Sequence, residues 1–287
     1  MSSQITTAYV KQFTDGITLL AQQRMSRLRN AVRVEAGITG DRAFFDQVGT
    51  SSMSEIASRH ADTVLTDTPH SRRMVTMRMY SKADMVDKRD EVRILNNPIN
   101  SYTQSFAAAA NRQTDQTIID AFTATASTGV DGGDDTGFPG GDYQIAHGSL
   151  GLTLAKIITA KKVLKAAEND PDQPWYIVYT AEQLEDLLND STITSADYNS
   201  VKMLTTGEVN SFMGFTWVHS ELLPISSTTR SCYAWARNSM LLGVSADIAG
   251  AVDRRADKNN GLQVQYTLDM GATRMDETGV VEILCTE

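Results

Sequence analysis

The apolar positions of this chain are best ordered around one stretch, Asn97–Ser127 (NPINSYTQSFAAAANRQTDQTIIDAFTATAS). Within it Ile99, Tyr102, Phe106, Ala109, Ala110, Ile118, Ile119, Phe122 and Ala126 recur at helical spacing, with one polar gap near Gln113. Asn97 supplies a cap, and Pro98 suits the first helical position, where its missing N–H costs nothing. Thr128-Gly129 closes the run. At 1.5 Å per residue the pattern predicts a rod of roughly 45 Å, far longer than the mean globular helix. It is too polar for a membrane span and lacks the sustained heptads of a coiled coil. A helix of this length requires a surface along it to pack on.

Ahead of the rod, Ile5, Val10, Phe13, Ile17, Leu20, Ala21, Met25, Leu28 and Val32 recur at near-helical spacing and predict a helix over 5–35. Arg24, Arg27, Arg29 and Arg33 mark its second half. Gln, Thr and Ser fill the remaining polar face, which favours an arm lying on neighbouring copies over a membrane-surface helix. Gly37 and Gly40 end it. Gln47–Met53 and Met74–Tyr80 predict two strands; in the second, Val75, Met77 and Met79 alternate with Thr76, Arg78 and Tyr80. The sequence between them is polar, contains Pro69, and has too little apolar surface to fold alone. Such a strand pair needs something to lie on, and another copy of the chain is the expected partner. Lys82–Arg93 mixes both signs of charge and reads either as a solvated face or as an ionic contact between subunits.

Beyond the rod, Gly129–Gly148 holds seven glycines with Asp131, Asp134, Asp135 and Asp142. The aspartate spacing has a faint calcium-loop character but lacks the closing glutamate, so a mobile loop is expected. Leu152–Ala167 predicts a second amphipathic helix through Leu154, Ile157, Ile158, Val163, Leu164 and Ala167. Its Lys156, Lys161, Lys162 and Lys165 are expected on the exposed side. Pro171 and Pro174 stop it. Trp175–Tyr179 (WYIVY) has the unbroken apolar character of a central strand. Ala181–Asn189 and Ser195–Leu204 predict short helices. Strands are expected at Gly214–Ser220, Cys232–Ala236, Met240–Val244, Ala249–Arg255, Leu262–Leu268 and Val280–Cys285. The order is an α+β chain built around a spine helix.

Composition narrows the function. The 287 residues are 41% hydrophobic and 21% charged, the balance of a globular chain with one or two domains. No apolar run reaches membrane-spanning length, and the first twenty residues lack a signal-peptide layout. Cys232 and Cys285 sit in apolar strand-like contexts and read as buried reduced thiols, which fits synthesis in the cytoplasm. The net charge of −9 hides an asymmetry: residues 1–100 carry 14 Lys/Arg against 11 Asp/Glu, and the remainder 12 against 24. An acidic body argues against a sequence-specific nucleic-acid binder, whose footprint is basic.

No catalytic pattern stands out. There is no Gly-rich phosphate loop with its lysine, no GxGxxG behind a strand, no HExxH and no CxxC. Gly243-Val244-Ser245-Ala246 lacks the final glycine of a nucleophile elbow. His60, His70, His147 and His219 are scattered; His219, ending an apolar strand, reads as a satisfied structural residue. No catalytic residue, cofactor or metal ligand is assigned.

Two stretches carry a family resemblance. DKRDEVRILNNPINSYTQSFAAAANRQTDQTIIDAF resembles the charged lead-in, turn and spine helix of the major capsid protein of tailed bacteriophages, a fold shared with encapsulin shells and the herpesvirus capsid floor. Arg112 and Asp115 match its small–Arg–x–x–Asp signature. YTAEQLEDLLNDSTITSADYNSVKMLTTGEVNSFMGFTWVHSELLP resembles a later passage through Leu184, Leu187, Asp197, Tyr198, Gly207, Val209, Gly214, Phe215 and Pro224. With the element order, these cover most of residues 40–285.

The resemblance implies the phage major capsid fold. Its parts would be an N-terminal arm (1–45), an extended two-stranded loop (46–82) and a peripheral domain with the spine helix (83–128) completed by strands at 248–275. An α/β axial domain (129–247) would be completed by the C-terminal strand (276–287). The implied function is assembly rather than catalysis: hexamers and pentamers of an icosahedral head around double-stranded DNA, which is contacted weakly and non-specifically. The implied location is the virion, with assembly in the host cytoplasm and no membrane. The short front beginning at Met1 implies a separate scaffolding protein; a portal and a decoration protein are further implied partners. Ile17, Leu20 and Leu28 of the arm, with Arg72, Arg73 and Arg78 of the loop, are the expected inter-subunit contacts. An encapsulin-type compartment and, from another class, a monomeric α+β enzyme remain as alternatives. Some relatives weld their shells through a loop lysine; residues 46–81 contain arginines at 59, 72, 73 and 78 but no lysine, so a shell without such bonds is expected.

Overall fold

The computed structural model describes residues 22–56, 58–59, 62–86, 99–168, 172–189 and 211–287. In chain order the first strands are β1 (Arg33–Ala36), β2 (Arg42–Val48), β3 (His70–Thr76) and β4 (Arg78–Val86). Helix α1 (Ile99–Thr123) follows, then β5 (Ala126–Thr128), β6 (Asp134–Thr136), β7 (Gln144–Ile145), α2 (Leu154–Ala166), β8 (Trp175–Tyr179) and α3 (Ala181–Asn189). The rest is strand: β9 (Ser211–Phe212), β10 (Phe215–His219), β11 (Ile225–Ser226), β12 (Thr229–Ala236), β13 (Met240–Arg255), β14 (Gly261–Arg274) and β15 (Val280–Thr286).

The chain divides into two compact units. The larger comprises Ser26–Met79, Arg112–Asp247 and Asp269–Glu287, and its core is a sheet in the order β7-β15-β12-β8-β10-β9 with β11 beside β12. Strand β12 runs antiparallel to β15 and β8, while β8 and β10 are parallel. Ile177, Val178, Cys232, Ala234, Val281 and Ile283 are wholly buried, which is why these strands read as continuous apolar runs. Helix α2 covers the sheet with Ile157, Ala160 and Leu164. Helix α3 opens on a capping box, in which the Thr180 amide donates to Gln183 Oε1 at 3.0 Å. A second sheet, β2-β3-β5-β6, carries the extended hairpin. A third runs β1-β13-β14-β4.

The smaller unit takes the described parts of Met1–Met25, Tyr80–Asn111 and Ile248–Leu268, narrower than the 83–128 and 248–275 assigned by resemblance. Inside it Phe106 of α1 meets Tyr266 of β14 edge-on, and the Lys82 ammonium lies 5.8 Å from the Phe106 ring.

Several elements differ from the sequence expectation. The described half of the helix expected at 5–35 is a single 3₁₀ turn at Arg29–Ala31 followed by β1. Tertiary contacts override the local periodicity there: Leu28, Ala31 and Val32 enter the core, and Trp235 Nε1 donates to the Ala31 carbonyl at 2.9 Å. The two strands expected at 240–255 are one, because Ser245–Ile248 contains no glycine or proline to break the strand. The glycine-rich stretch expected as a mobile loop contains β6, a 3₁₀ turn and β7. Lys156, expected on the exposed side of its helix, is buried and donates to the carbonyls of Leu150, Gly151 and Leu284 at 2.7–2.9 Å. The alternation expected through Tyr80 ends at Met77, since Met79 is exposed. The helix expected at Ser195–Leu204 lies outside the described residues.

Candidate assembly interface

Assembly by surface contact requires groups that one chain leaves unsatisfied, and the hairpin supplies them. Strands β2 and β3 pair antiparallel from Arg42↔Thr76 to Val48↔His70, and the Gly49 amide adds a bond to the Pro69 carbonyl at 2.8 Å. Its root is packed: Val75 and Met77 join Leu241 and Met275, with Ile38, Ala43 and Phe45 against them. A Cβ on Gly271 would strike the Thr76 carbonyl oxygen, so only glycine lets β14 pass this close to the end of β3. Beyond Gly49 and Pro69 the described residues form no helix or strand, yet Met53, Ile56, Val64 and Leu65 are each at least 66% exposed. These large apolar side chains lie open to solvent in the single chain.

The three loop arginines take three different positions. Arg72 is partly exposed and pairs with Asp46 across the hairpin at 2.6 Å. That contact raises the Arg72 guanidinium and lowers the Asp46 carboxyl from their ordinary values, the mutual hydrogen bond being the main cause. Arg78 is exposed and makes no ion pair with any described residue. Arg73, expected at a subunit contact, is instead buried and paired with Glu277 inside its own chain. It also donates to the Met275 carbonyl at 3.2 Å.

Arg73 belongs to a buried charged group at the hairpin root. Arg274 is fully buried, lies 3.7 Å from Glu277, and stands 5.3 Å from the Phe138 ring. It donates to the carbonyls of Phe122 and Ala124 at 2.7 and 3.0 Å. Those carbonyls end the spine helix, where the negative end of the helix dipole helps to balance a second buried cation. Burial pulls the Arg274 guanidinium below its ordinary value, Glu277 opposes that, and nearby Arg73 adds to it. The hairpin, the C-terminal end of α1 and the turn between β14 and β15 are therefore tied at one point.

The N-terminal segment is anchored from the other residue of the capsid-like signature. Asp115 is fully buried and accepts the Ser26 hydroxyl at 2.6 Å, the Arg27 amide at 3.0 Å and the Leu28 amide at 3.1 Å. Arg29 adds a two-pronged contact to Asp247 at 2.7 and 2.9 Å. Leu28, expected at a subunit contact, is thus 0% exposed in its own chain and unable to meet another. Ser26 is the first residue of the larger unit. Ile17 and Leu20 lie outside the described residues. Arg112 is half-buried on α1 and is engaged within the chain.

The remaining candidates are structural. His219 has both ring nitrogens engaged, with Arg27 at 2.6 Å and Glu221 at 2.7 Å. Cys232 and Cys285 are free and buried, as the sequence suggests. Among the described residues no group of His, Cys, Asp and Glu is arranged to hold a metal ion. No described helix is long and apolar enough to cross a membrane. The buried contacts of Asp115 with residues 26–28, of Arg274 with Phe122 and Ala124, and of Lys156 with Leu284 were missed from sequence because they join distant parts of the chain, a separation over which spacing carries no signal.

Comparisons with known proteins agree with this geometry. Among solved structures, the chain is similar to that of Mycobacterium phage Che8, with 18% identity over 96% of this chain and 97% of that one and a TM-score of 0.72. It is similar to the capsid of cyanophage P-SCSP1u at 17% identity, 100% and 96% coverage and a TM-score of 0.74. The capsid of a native GTA particle gives 14%, 99% and 98%, and 0.72. At such identities the likeness establishes the fold, α+β and capsid-like. No match is found among curated proteins. The family model described as phage capsid protein matches residues 5–287. The chain therefore belongs to the phage capsid protein family, and it is a structural protein of the virion capsid rather than an enzyme.

Proposed function

We propose that copies of this chain form hexamers and pentamers and close an icosahedral head around double-stranded DNA. The observation that carries the reading is the hairpin: a well-packed root at Val75 and Met77 below a span bearing exposed Met53, Ile56, Val64 and Leu65. A surface of that kind is left bare in one chain and covered in a lattice. Each copy is then held at several modest contacts, and multivalency makes the shell stable.

In this reading residues 46–82 form the extended loop over a neighbour, with Arg72 and Arg78 facing its acidic body. The arm is the stretch before Ser26, with Ile17 and Leu20 as its apolar contacts. Peripheral and axial domains take 83–128 with 248–275, and 129–247 with 276–287. A separate scaffolding protein and a portal take part in assembly, a decoration protein is a further candidate partner, and DNA is held weakly by an acidic container. Assembly takes place in the host cytoplasm.

Negative-stain microscopy of the expressed protein, alone and with a co-expressed scaffolding protein, tests this. Closed shells or capsomers of five- and sixfold symmetry are expected. A stable monomer under both conditions would overturn it.

A further inference from the structure

We propose that His219 is a pH-sensitive latch that holds the N-terminal segment to the body only while its imidazole is neutral. Arg27 Nη1 lies 2.6 Å from His219 Nδ1 and also donates to the His219 carbonyl oxygen at 2.7 Å. A guanidinium has donors and no acceptor. Nδ1 is therefore the acceptor, and the ring proton sits on Nε2. From there it is donated to Glu221 Oε1 at 2.7 Å. The same carboxylate oxygen accepts the amide of Ala181, the first residue of α3, at 2.8 Å. One relay thus runs from the N-terminal segment through the end of β10 to the start of α3.

A proton on Nδ1 removes the only acceptor in that ring and sets imidazolium against guanidinium at hydrogen-bond distance. Histidine is the side chain that ordinarily gains such a charge between pH 5 and 8. The ring is 35% exposed, so solvent protons reach it. Among the described residues, the titratable and charged groups against it are Arg27 of the N-terminal segment, Glu221 after β10 and Tyr179 of β8, whose ring centroid is 5.7 Å away. A protonated ring still donates to Glu221 through Nε2 but presents a second N–H toward the Arg27 guanidinium. Protonation therefore keeps the Glu221 contact and gives up the Arg27 contact. Because Asp115 still holds the backbone of residues 26–28, the segment loosens without detaching.

Hydrogen–deuterium exchange of the full-length unassembled chain, corrected for the pH dependence of intrinsic exchange, reads the latch. The peptide spanning residues 22–31 is expected to lose about tenfold in protection between pH 8 and pH 5, the order expected for one hydrogen bond to a charged group. His219→Gln accepts from Arg27 and donates to Glu221 without titrating, and its protection is expected to change less than about twofold. Arg27→Gln is expected to show low protection at both pH values. A wild-type chain with no pH response, or a His219→Gln chain whose response is as large as wild type, overturns the proposal. The second result would place the pH dependence on a group other than His219.

Discussion

The carboxylate of Asp115, midway along the spine helix, lies 2.6 Å from the hydroxyl of Ser26, 89 residues earlier in the chain. With the amides of Arg27 and Leu28 on the same carboxylate, it fixes where the N-terminal segment joins the body. Asp115→Ala leaves those amides without an acceptor in a buried site, at a cost of about 3–5 kcal/mol. Urea unfolding of the unassembled chain should show that loss. A change below about 1 kcal/mol would mean that water or a neighbouring side chain takes the carboxylate's place.

The loop arginines should separate into two classes. Arg73→Met leaves Glu277 facing only Arg274 in a buried site, and about 3–5 kcal/mol of subunit stability should be lost. The double change Arg72→Glu and Arg78→Glu touches exposed charges and should move stability by no more than about 1 kcal/mol. Particle formation should nevertheless fail in the double variant. If it assembles normally in a sedimentation assay, the two arginines do not face a neighbour.

The same contrast shows what the sequence discloses and what it withholds. Trp175–Tyr179 and Ala181–Asn189 have the bounds their patterns predict, because an unbroken apolar run and a capped amphipathic stretch are both local signals. The stripe through Leu28 and Val32 is equally regular, yet it folds as a turn and a strand. What decides there is Asp115, Asp247 and Trp235, each more than 80 positions away. Arg73 looked like its neighbour Arg72 for a related reason: both are arginines on one strand, and only the partner across the fold, Glu277, tells them apart. The hairpin was legible as a strand pair but not in its bounds: the strands are Arg42–Val48 and His70–Thr76 rather than Gln47–Met53 and Met74–Tyr80, because pairing across the hairpin and packing at its root set them.

Changing Met53, Ile56, Val64 and Leu65 together to serine tests whether the exposed span is an interface. All four are open to solvent, so thermal unfolding of the unassembled chain should shift little, by the order of surface substitutions at about 0.5 kcal/mol. Closed particles should be lost. Unaltered particles would place the interface elsewhere.

Tyr233 gives an alkaline limb to stability. Its side chain is 1% exposed and stacks on Phe122 with 4.6 Å between ring centroids. Burial pushes the phenol up to about 12, the Glu282 carboxylate adds to this, and hydrogen bonding with Thr123 and Ser231 opposes it. The folded value lies above the unfolded one near 10, so the fold favours the neutral ring. The contribution is complete below about pH 10 and is lost as pH rises toward about 12, on the order of 2–3 kcal/mol. Tyr233→Phe keeps the stack and removes the titration. Urea midpoints between pH 9 and 12 should fall less steeply in the variant; parallel curves would assign the alkaline loss to other groups.

The last prediction concerns covalent bonds in the finished shell. An isopeptide weld needs an amine on the loop, kept deprotonated by burial and aimed by a neighbour. Between Lys11 and Lys82 the chain has no lysine, and the arginines at 59, 72, 73 and 78 stay protonated and cannot serve as nucleophiles. Lys82 itself is exposed in β4, with its ammonium 5.8 Å from the Phe106 ring, and so lacks the burial the weld needs. Lys156, the one buried lysine among the described residues, is lowered from its ordinary value by that burial but is caged by three carbonyls of its own chain. Particles boiled in SDS with reductant should therefore run as a single band near 31.4 kDa. A ladder of dimers, pentamers and hexamers would show that a lysine outside the loop had taken the part, and mass spectrometry of the ladder would identify it.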